Sequence, residues 1–399
     1  MPPGETAGPA KSKGGDETMK VALVIERMDP HRGGRETSTA QAAEELARRG
    51  CDVTIVCQSG TWRTDGVQVR QVGARGVSRA SRLRNFAADV ARAIEGRGFD
   101  IVHTTLPIPR ANVYQPRGGT VPAQIAAGLR RRSAPGRLLR RITEPLNACR
   151  RQMGAFERDL LTGGGAICLC VSRMVKDECL NYYGLTERVE VVYNCVDVPA
   201  DDTRDDDRRR LRSEIGAAPD DPVFLTAATN FELKGVAQAI EAFAQWRGDS
   251  GRGGSRLVVV GRRDPNRYMK LASDCGAGDA VVFIPPTEEI FQWYASADAV
   301  VLLSWYDPCS RVILEAARWS IPSITTRFNG AAEAFGDGGC IVVDSPLDRG
   351  EIVAGYEALA DPITRRKHSR ACGGLADYLG VERHVEELLA AYGRAPTLR

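Results

Sequence analysis

Short apolar runs alternate with amphipathic stretches along most of this chain, and the alternation predicts helices wrapped around parallel sheets. Lys20-Val-Ala-Leu-Val-Ile25 has the continuous apolar character of a strand covered on both faces. A loop with Gly33 and Gly34 follows, then a helical stretch to about Arg49 and a second apolar run at 51–57. Helical periodicity near 81–95 leads into a strand at 100–104, with further strands expected at 166–172 and 189–193. From Val198 to about position 210 the chain is polar, charge-dense and opened by a proline, as a linker is. The alternation then restarts. Strands are expected at 223–228, 256–261, 280–284, 299–304 and 321–326, with helices at 236–247, 268–275 and 290–297. A last helix is expected at about 383–392.

This ordering gives an α/β chain of two Rossmann-like halves, 19–198 and 211–378, joined by a linker at 199–210. A C-terminal helix and tail occupy 379–399, placed to cross back to the first half. Two such halves face each other across a cleft lined by the carboxyl ends of their strands, where ligands of open α/β sheets bind.

Composition narrows the class. With 399 residues, 43% hydrophobic and 26% charged, the chain is long enough for two cores. No apolar run approaches the roughly 18–20 residues of a membrane span. Residues 1–18 are rich in Gly, Pro, Lys and acids and are expected to be a disordered leader. The cysteine count is odd at 11, no C-x-x-C occurs, and Cys168 and Cys170 alternate within an apolar strand, so small buried thiols in a reducing compartment are expected. Four scattered histidines form no metal-ligand cluster, and no metal or cofactor is expected. Net charge is only +3, and seven of the 54 basic residues are Lys, so an isolated arginine cluster carries less weight than a retained lysine.

The candidate chemistry gathers at strand ends. Asp307-Pro-Cys-Ser-Arg-Val-Ile-Leu-Glu315 follows an apolar run and opens a helix. A strand, a tight loop and a helix start form an anion site because free backbone N–H groups point into the loop. Asp307 lies in the loop, and Glu315 lies about two turns on at roughly 3.6 residues per turn. Phe231-Glu-Leu-Lys234-Gly235 puts an ammonium at another helix start, and Gly261-Arg262-Arg263 puts two guanidinium groups at a strand tip. Gly33 and Gly34 give backbone amides close access from the other half. Taken singly, each feature also fits an ordinary βα unit with solvated charges. No G-x-G-x-x-G follows the first strand, and neither a P-loop nor a G-x-S-x-G elbow occurs, which disfavours hydride transfer.

In this order the motifs resemble retaining GT-B glycosyltransferases of glycosyltransferase family 4, over nearly all of 19–392. The resemblance includes the early Gly-Gly loop, Val192-Tyr-Asn-Cys-Val-Asp197, Lys234-Gly235, Val259-Val-Gly261, Tyr294-Ala-Ser-Ala-Asp298, the D-x7-E element and Asn329-Gly-Ala-Ala-Glu333. Phe231-x-x-Lys234-Gly235 with Ala155-Phe-Glu-Arg158 is most similar to the lipopolysaccharide core glucosyltransferase group. The resemblance implies that Lys234 and Arg262 hold the donor diphosphate and that Glu315 accepts from the ribose hydroxyls. It places the sugar on Asp307 and the backbone of Cys309, Ser310 and Arg311, the phosphate on amides near Val312, and the base on a carbonyl near Ile284. Three positions depart from the family pattern. Asp307 stands where Glu is usual, Thr229 where an Arg is common, with Arg263 available to compensate, and Cys195 where Gly is usual, which predicts strain if φ is positive there.

On the acceptor side, His103 ends a strand and is expected to face the cleft as a base or acceptor contact, or else to be merely structural. The stretch 112–120 is expected over the acceptor region. The segment 129–142 holds Arg130, Arg131, Arg132, Arg137, Arg140 and Arg141 with Leu and Ile between them and no acid. It suits an anionic membrane surface or a phosphorylated glycolipid, or is a basic loop of an Arg-rich protein. The expected activity is metal-independent hexose transfer from a nucleotide sugar, UDP-glucose first, to a lipid-linked or lipopolysaccharide-like glycan of the cell envelope. The expected location is the cytoplasmic face of a membrane, with nucleic acid not expected as a partner. The alternatives are a GDP-mannose donor, a small soluble acceptor, or a non-catalytic GT-B-like binding protein.

Overall fold

Apolar runs too short to stand alone pair edge to edge into two sheets. In this computed structural model, which describes residues 18–163, 165–199, 203–336 and 338–398, the first sheet contains seven strands. They are β1 (Lys20–Arg27), β2 (Asp52–Ser59), β3 (Val67–Gln71), β4 (Ile101–Thr104), β5 (Val113–Tyr114), β6 (Ile167–Cys170) and β7 (Val189–Val191). Their order is β3-β2-β1-β4-β5-β6-β7, with every pair parallel. The second sheet contains β8 (Val223–Ala228), β9 (Arg256–Gly261), β10 (Val281–Ile284), β11 (Ala299–Leu302), β12 (Ser323–Thr326) and β13 (Cys340–Val343). Its order is β10-β9-β8-β11-β12-β13, again all parallel.

The helices of the first half are α1 (Gly34–Arg48), α2 (Arg79–Ile94), α3 (Val121–Arg130), α4 (Ala134–Thr143), α5 (Ala148–Arg158) and α6 (Arg173–Tyr183). The second half adds α7 (Arg204–Glu214), α8 (Val236–Ser250), α9 (Asn266–Asp274), α10 (Ile290–Ser296), α11 (Arg311–Arg318), α12 (Arg349–Ala360) and α13 (Pro362–Gly373). In each sheet the strand order reverses at the middle, with β1 beside β4 and β8 beside β11. Loops leaving the carboxyl ends there diverge to opposite faces and open a crevice.

The last helix, α14 (Val381–Tyr392), packs in the first half: Val385, Leu388, Ala391 and Tyr392 share a core with Val21, Leu23 and Ile25 of β1. The chain therefore passes between the halves twice, and the two passages touch. The Val196 amide donates to the Leu379 carbonyl at 3.0 Å, and His384 Nδ1 lies 2.9 Å from the Tyr193 carbonyl.

The charge-dense stretch expected to be a linker is helical from Arg204 onward. Asp205, Asp206 and Asp207 lie in its first turn, where the helix dipole favours acids. Its arginines are not simply solvated. Arg208 donates to Asp298 at 2.8 Å, and the buried Arg212 donates to the Ser296 carbonyl at 2.9 Å and contacts Asp298 at 3.3 Å. Two arginines of this stretch and its helix, Arg208 and Arg212, thus converge on one buried aspartate, while Arg210 pairs with Asp207 and Glu214 of the same helix at 2.9 and 3.0 Å. The expected leader lies outside the described residues, except Thr18.

Candidate active site

The crevice between the sheets holds a cavity of about 430 Å³, within the usual size of ligand sites. Lys234 reaches it because its loop is tied to the exit of β11: the Trp305 amide donates to the Leu233 carbonyl at 3.0 Å, and the Leu233 amide to Asn230 Oδ1 at 3.1 Å. Gly235 caps α8 with φ +67°, and a Cβ there would lie 2.2 Å from the Leu303 carbonyl oxygen, so the turn requires glycine. Asp307 is fixed by its own backbone, its amide donating to the Phe328 carbonyl at 2.8 Å and its carbonyl accepting from the Gly330 amide at 2.9 Å. Asn329 Oδ1 accepts from the Ser310 and Ala331 amides at 3.3 and 3.2 Å, which clamps the start of α11. Lys234 Nζ and Asp307 Oδ2 meet as an ion pair inside the cavity.

The remaining wall carries a second carboxylate, a helix start and further cations. Glu315 Oε2 accepts from the Tyr294 hydroxyl at 3.1 Å, and its other oxygen from Arg311 Nε at 3.3 Å. The first N–H groups of α11 have no intrahelical partner by construction and open toward this cavity at Arg311 and Val312. Arg262 spans the crevice, donating from Nη2 to the His31 carbonyl at 2.9 Å. Five basic side chains, Arg35, Arg117, Lys234, Arg262 and Arg311, line the cavity against two carboxylates, Asp307 and Glu315. The surplus of positive charge suits a diphosphate.

Of the residues expected at a donor site, Gly33, Gly34, Thr229, Lys234, Gly261, Arg262, Asp307, Cys309, Ser310, Arg311, Val312 and Glu315 all line this cavity. Arg263 and Ile284 do not. Arg263 is exposed, so it does not stand in for the arginine absent at Thr229, and the chain beyond β10 approaches the cavity at Pro286, Thr287 and Ile290. Cys195 is not among the described residues with positive φ, so the expected strain is absent; its carbonyl accepts from Arg311 Nη1 at 2.8 Å.

Two features of the cavity were not legible in the motifs. The Arg311 side chain, and not only its backbone, reaches the other half, donating to Ser38 Oγ at 2.7 Å and Gln41 Oε1 at 3.1 Å. Its Cδ lies 2.6 Å from where a Cβ on Gly34 would be, so that glycine admits the arginine. Arg117 is buried at the cavity base, bonded to Gln115 at 2.7 Å and to the Arg35 carbonyl and Thr39 hydroxyl at 3.1 Å. Burial lowers its pKa to about 10, so it stays a cation at neutral pH.

His103 does not face the cleft. It pairs with Leu23 inside the sheet, is buried, and its Nδ1 lies 2.7 Å from the Tyr392 hydroxyl of α14. Burial depresses its pKa to about 3, and it is a neutral structural residue. Most of 112–120 is structural too, since Asn112 accepts from the Val102 amide at 2.8 Å and Val113–Tyr114 forms β5. Glu157, of the Ala155-Phe-Glu-Arg158 motif, is fully buried and holds the start of α3 by accepting from the Val121 amide at 2.8 Å and the Tyr114 hydroxyl at 2.7 Å. Glu333 joins the halves instead of touching the cavity, accepting from the Arg173 and Met174 amides of α6 at 2.6 and 2.8 Å.

The basic segment divides. Arg130 stacks over Phe328 at 4.4 Å, Arg131 pairs with Glu232 at 3.5 Å, and Arg140 pairs with Glu144 at 2.6 Å, which removes three of the six from a free patch. Arg132, Arg137 and Arg141 are exposed beside Leu138, Leu139 and Ile142, which are 62%, 64% and 64% exposed on or beside the same helix, α4. Among the described residues no helix is long and apolar enough to cross a membrane.

A family model described as Glycosyltransferase Family 4 matches residues 32–199, and one described as Glycosyl transferases group 1 matches 207–371. The lipopolysaccharide glucosyltransferase WaaG of Escherichia coli (strain K12) is 24% identical over 342 residues, covering 84% of this chain and 87% of the relative. D-inositol 3-phosphate glycosyltransferase 1 of Catenulispora acidiphila is 28% identical over 398 residues, covering 91% of each. Among solved structures, WaaG, described as involved in lipopolysaccharide biosynthesis, superposes with a TM-score of 0.77 at 22% identity, covering 93% of this chain and 98% of that one. Anabaena Alr3699/HepE in complex with UDP-glucose superposes with a TM-score of 0.70 at 16% identity, covering 94% and 100%.

Proposed function

We propose that this chain, which belongs to the GT-B glycosyltransferases, moves a hexose from UDP-glucose to a lipid-linked or lipopolysaccharide-like glycan and retains the anomeric configuration. One observation carries the reading: Lys234, Arg262, the start of α11, Asp307 and Glu315 converge on a single cavity at the strand-order reversals of both sheets. In this reading Glu315, in the cavity wall, accepts from the ribose hydroxyls and the α11 amides hold the diphosphate. The Lys234–Asp307 pair brackets the sugar, with the ammonium on the phosphate side and the carboxylate accepting from a sugar hydroxyl. As the bond from the anomeric carbon to the phosphate oxygen breaks, negative charge grows on the leaving UDP. Lys234, Arg262 and the amides stabilise that charge, the main task in such a transfer and one that asks for no metal. The acceptor hydroxyl attacks from the face the UDP leaves, and its proton passes to the departing phosphate oxygen.

The lipid-linked acceptor rests on α4, where exposed Leu138, Leu139 and Ile142 stand among Arg132, Arg137 and Arg141, as a helix lying on an anionic membrane surface requires. On this reading the protein works at the inner face of a membrane. A small phosphorylated acceptor is the second reading, favoured by the similarity to a D-inositol 3-phosphate glycosyltransferase. Thermal shift in EDTA with UDP-glucose, UDP-galactose and GDP-mannose, on wild type and Glu315→Ala, tests the donor. Stabilisation by UDP-glucose alone, lost in the variant, is expected. Stabilisation by GDP-mannose instead, or by none without added metal, overturns the donor assignment. Transfer to D-inositol 3-phosphate, absent with lipid-linked glycan, selects the second reading.

A further inference from the structure

The alternating cysteines of β6 acquire a third partner in the fold. Cys168 and Cys170 point to the same face of the strand, and Cys179 on α6 packs against that face. The three sulfurs form a nearly equilateral triangle, with separations of 3.7 Å between Cys168 and Cys179 and 3.8 Å for the other two pairs. All three residues are fully buried. This cluster lies outside the transferase cavity, and nothing in the transfer reaction uses it.

We propose that Cys168, Cys170 and Cys179 form a three-coordinate site for a soft, monovalent ion of the copper(I) type. The centre of the triangle is about 2.2 Å from each sulfur, close to the roughly 2.3 Å of a metal–thiolate bond, so an ion binds there without moving the backbone. Thiolate donors select soft ions. No fourth Cys, His, Asp or Glu joins the group among the described residues, which disfavours zinc, since its structural sites take four ligands. Each thiolate formed on binding releases a proton to solvent, so uptake weakens as pH falls. The ion ties β6 to α6, the helix whose first amides bind Glu333 and whose Glu178 accepts from the Tyr306 hydroxyl of the second half at 2.9 Å.

Anaerobic competition against the copper(I)–bicinchoninate complex, with full-length protein and ascorbate, tests the site. Wild type is expected to withdraw one equivalent of copper and to melt at a higher temperature when loaded. Cys179→Ala and Cys168→Ala are expected to withdraw none, and Cys275→Ser, which changes an exposed cysteine, to match wild type. Should both alanine variants fail to fold, X-ray absorption of the loaded wild type decides, with three sulfur neighbours expected at about 2.3 Å. Failure of wild type to withdraw copper, equal uptake by the folded alanine variants, or nitrogen and oxygen neighbours would each reduce the triangle to three packed thiols.

Discussion

Replacing Lys234 with alanine separates two roles of one ion pair. The side chains of Lys234 and Asp307 are 19% and 11% exposed, so the pair is largely desolvated. Removing the ammonium leaves Asp307 charged with no counter-ion, at a cost of about 2 kcal/mol for an unsatisfied, partly buried group. For a domain of this size that lowers Tm by about 4–8 °C, read by thermal shift. The catalytic loss is separate. In the proposed transfer Lys234 acts on charge that develops as UDP leaves, and removal of one such group costs about 10²–10³ in kcat. Hydrolysis of UDP-glucose reads this without knowledge of the acceptor. Adding Asp307→Asn to Lys234→Ala neutralises the stranded carboxylate, so the double variant regains much of the lost Tm and none of the turnover. Turnover of Lys234→Ala within tenfold of wild type would refute the catalytic assignment. A double variant as unstable as the single one would refute the pairing argument.

Glu178, bonded to Thr120 and Tyr306, carries a pH signature. Burial raises its pKa from 4.5 to about 7, so the folded state holds the extra proton between those values; the stability is fully present below pH 4.5 and is lost as pH rises through 7. Glu178→Gln should remove this component from the Tm–pH curve, and an unchanged slope between pH 5 and 8 would count against it. Leu139→Glu with Ile142→Glu should abolish sedimentation with anionic vesicles while leaving Tm within about 1–2 °C, because both sites are exposed. Vesicle binding retained by that variant would remove α4 from the membrane assignment. Gly235→Ala should destabilise by about 1–3 kcal/mol through its left-handed φ and the Leu303 carbonyl, measured by urea unfolding; a variant as stable as wild type would contradict that geometry.

Much of the fold was legible because parallel strands buried on both faces announce themselves as apolar runs, and β1, β8, β9 and β11 lie where those runs do. Lys234, Asp307 and Glu315 were legible because their spacing relative to a strand end fixes them in the crevice. His103 misled because position on a strand was visible while its cover was not: Tyr392, 289 residues away, closes over it. The helix α7 was hidden by its charge, since the neutralising Asp298 is distant in sequence. The Arg311 side chain and the third thiol, Cys179, depend likewise on partners brought in by other elements.

The paired passages of the chain determine how the two halves can move. Were they joined by one strand of chain, either half could swivel about a point. Here the outgoing segment near Val196 and the returning segment at Leu379 lie side by side and hydrogen-bonded, and α14 is anchored in the first core. Two adjacent attachments oppose free swivelling and favour opening and closing about the line they share, as a book opens along its spine, and a movement of that kind would vary the separation of Arg262 from His31 and of Arg311 from Ser38 together.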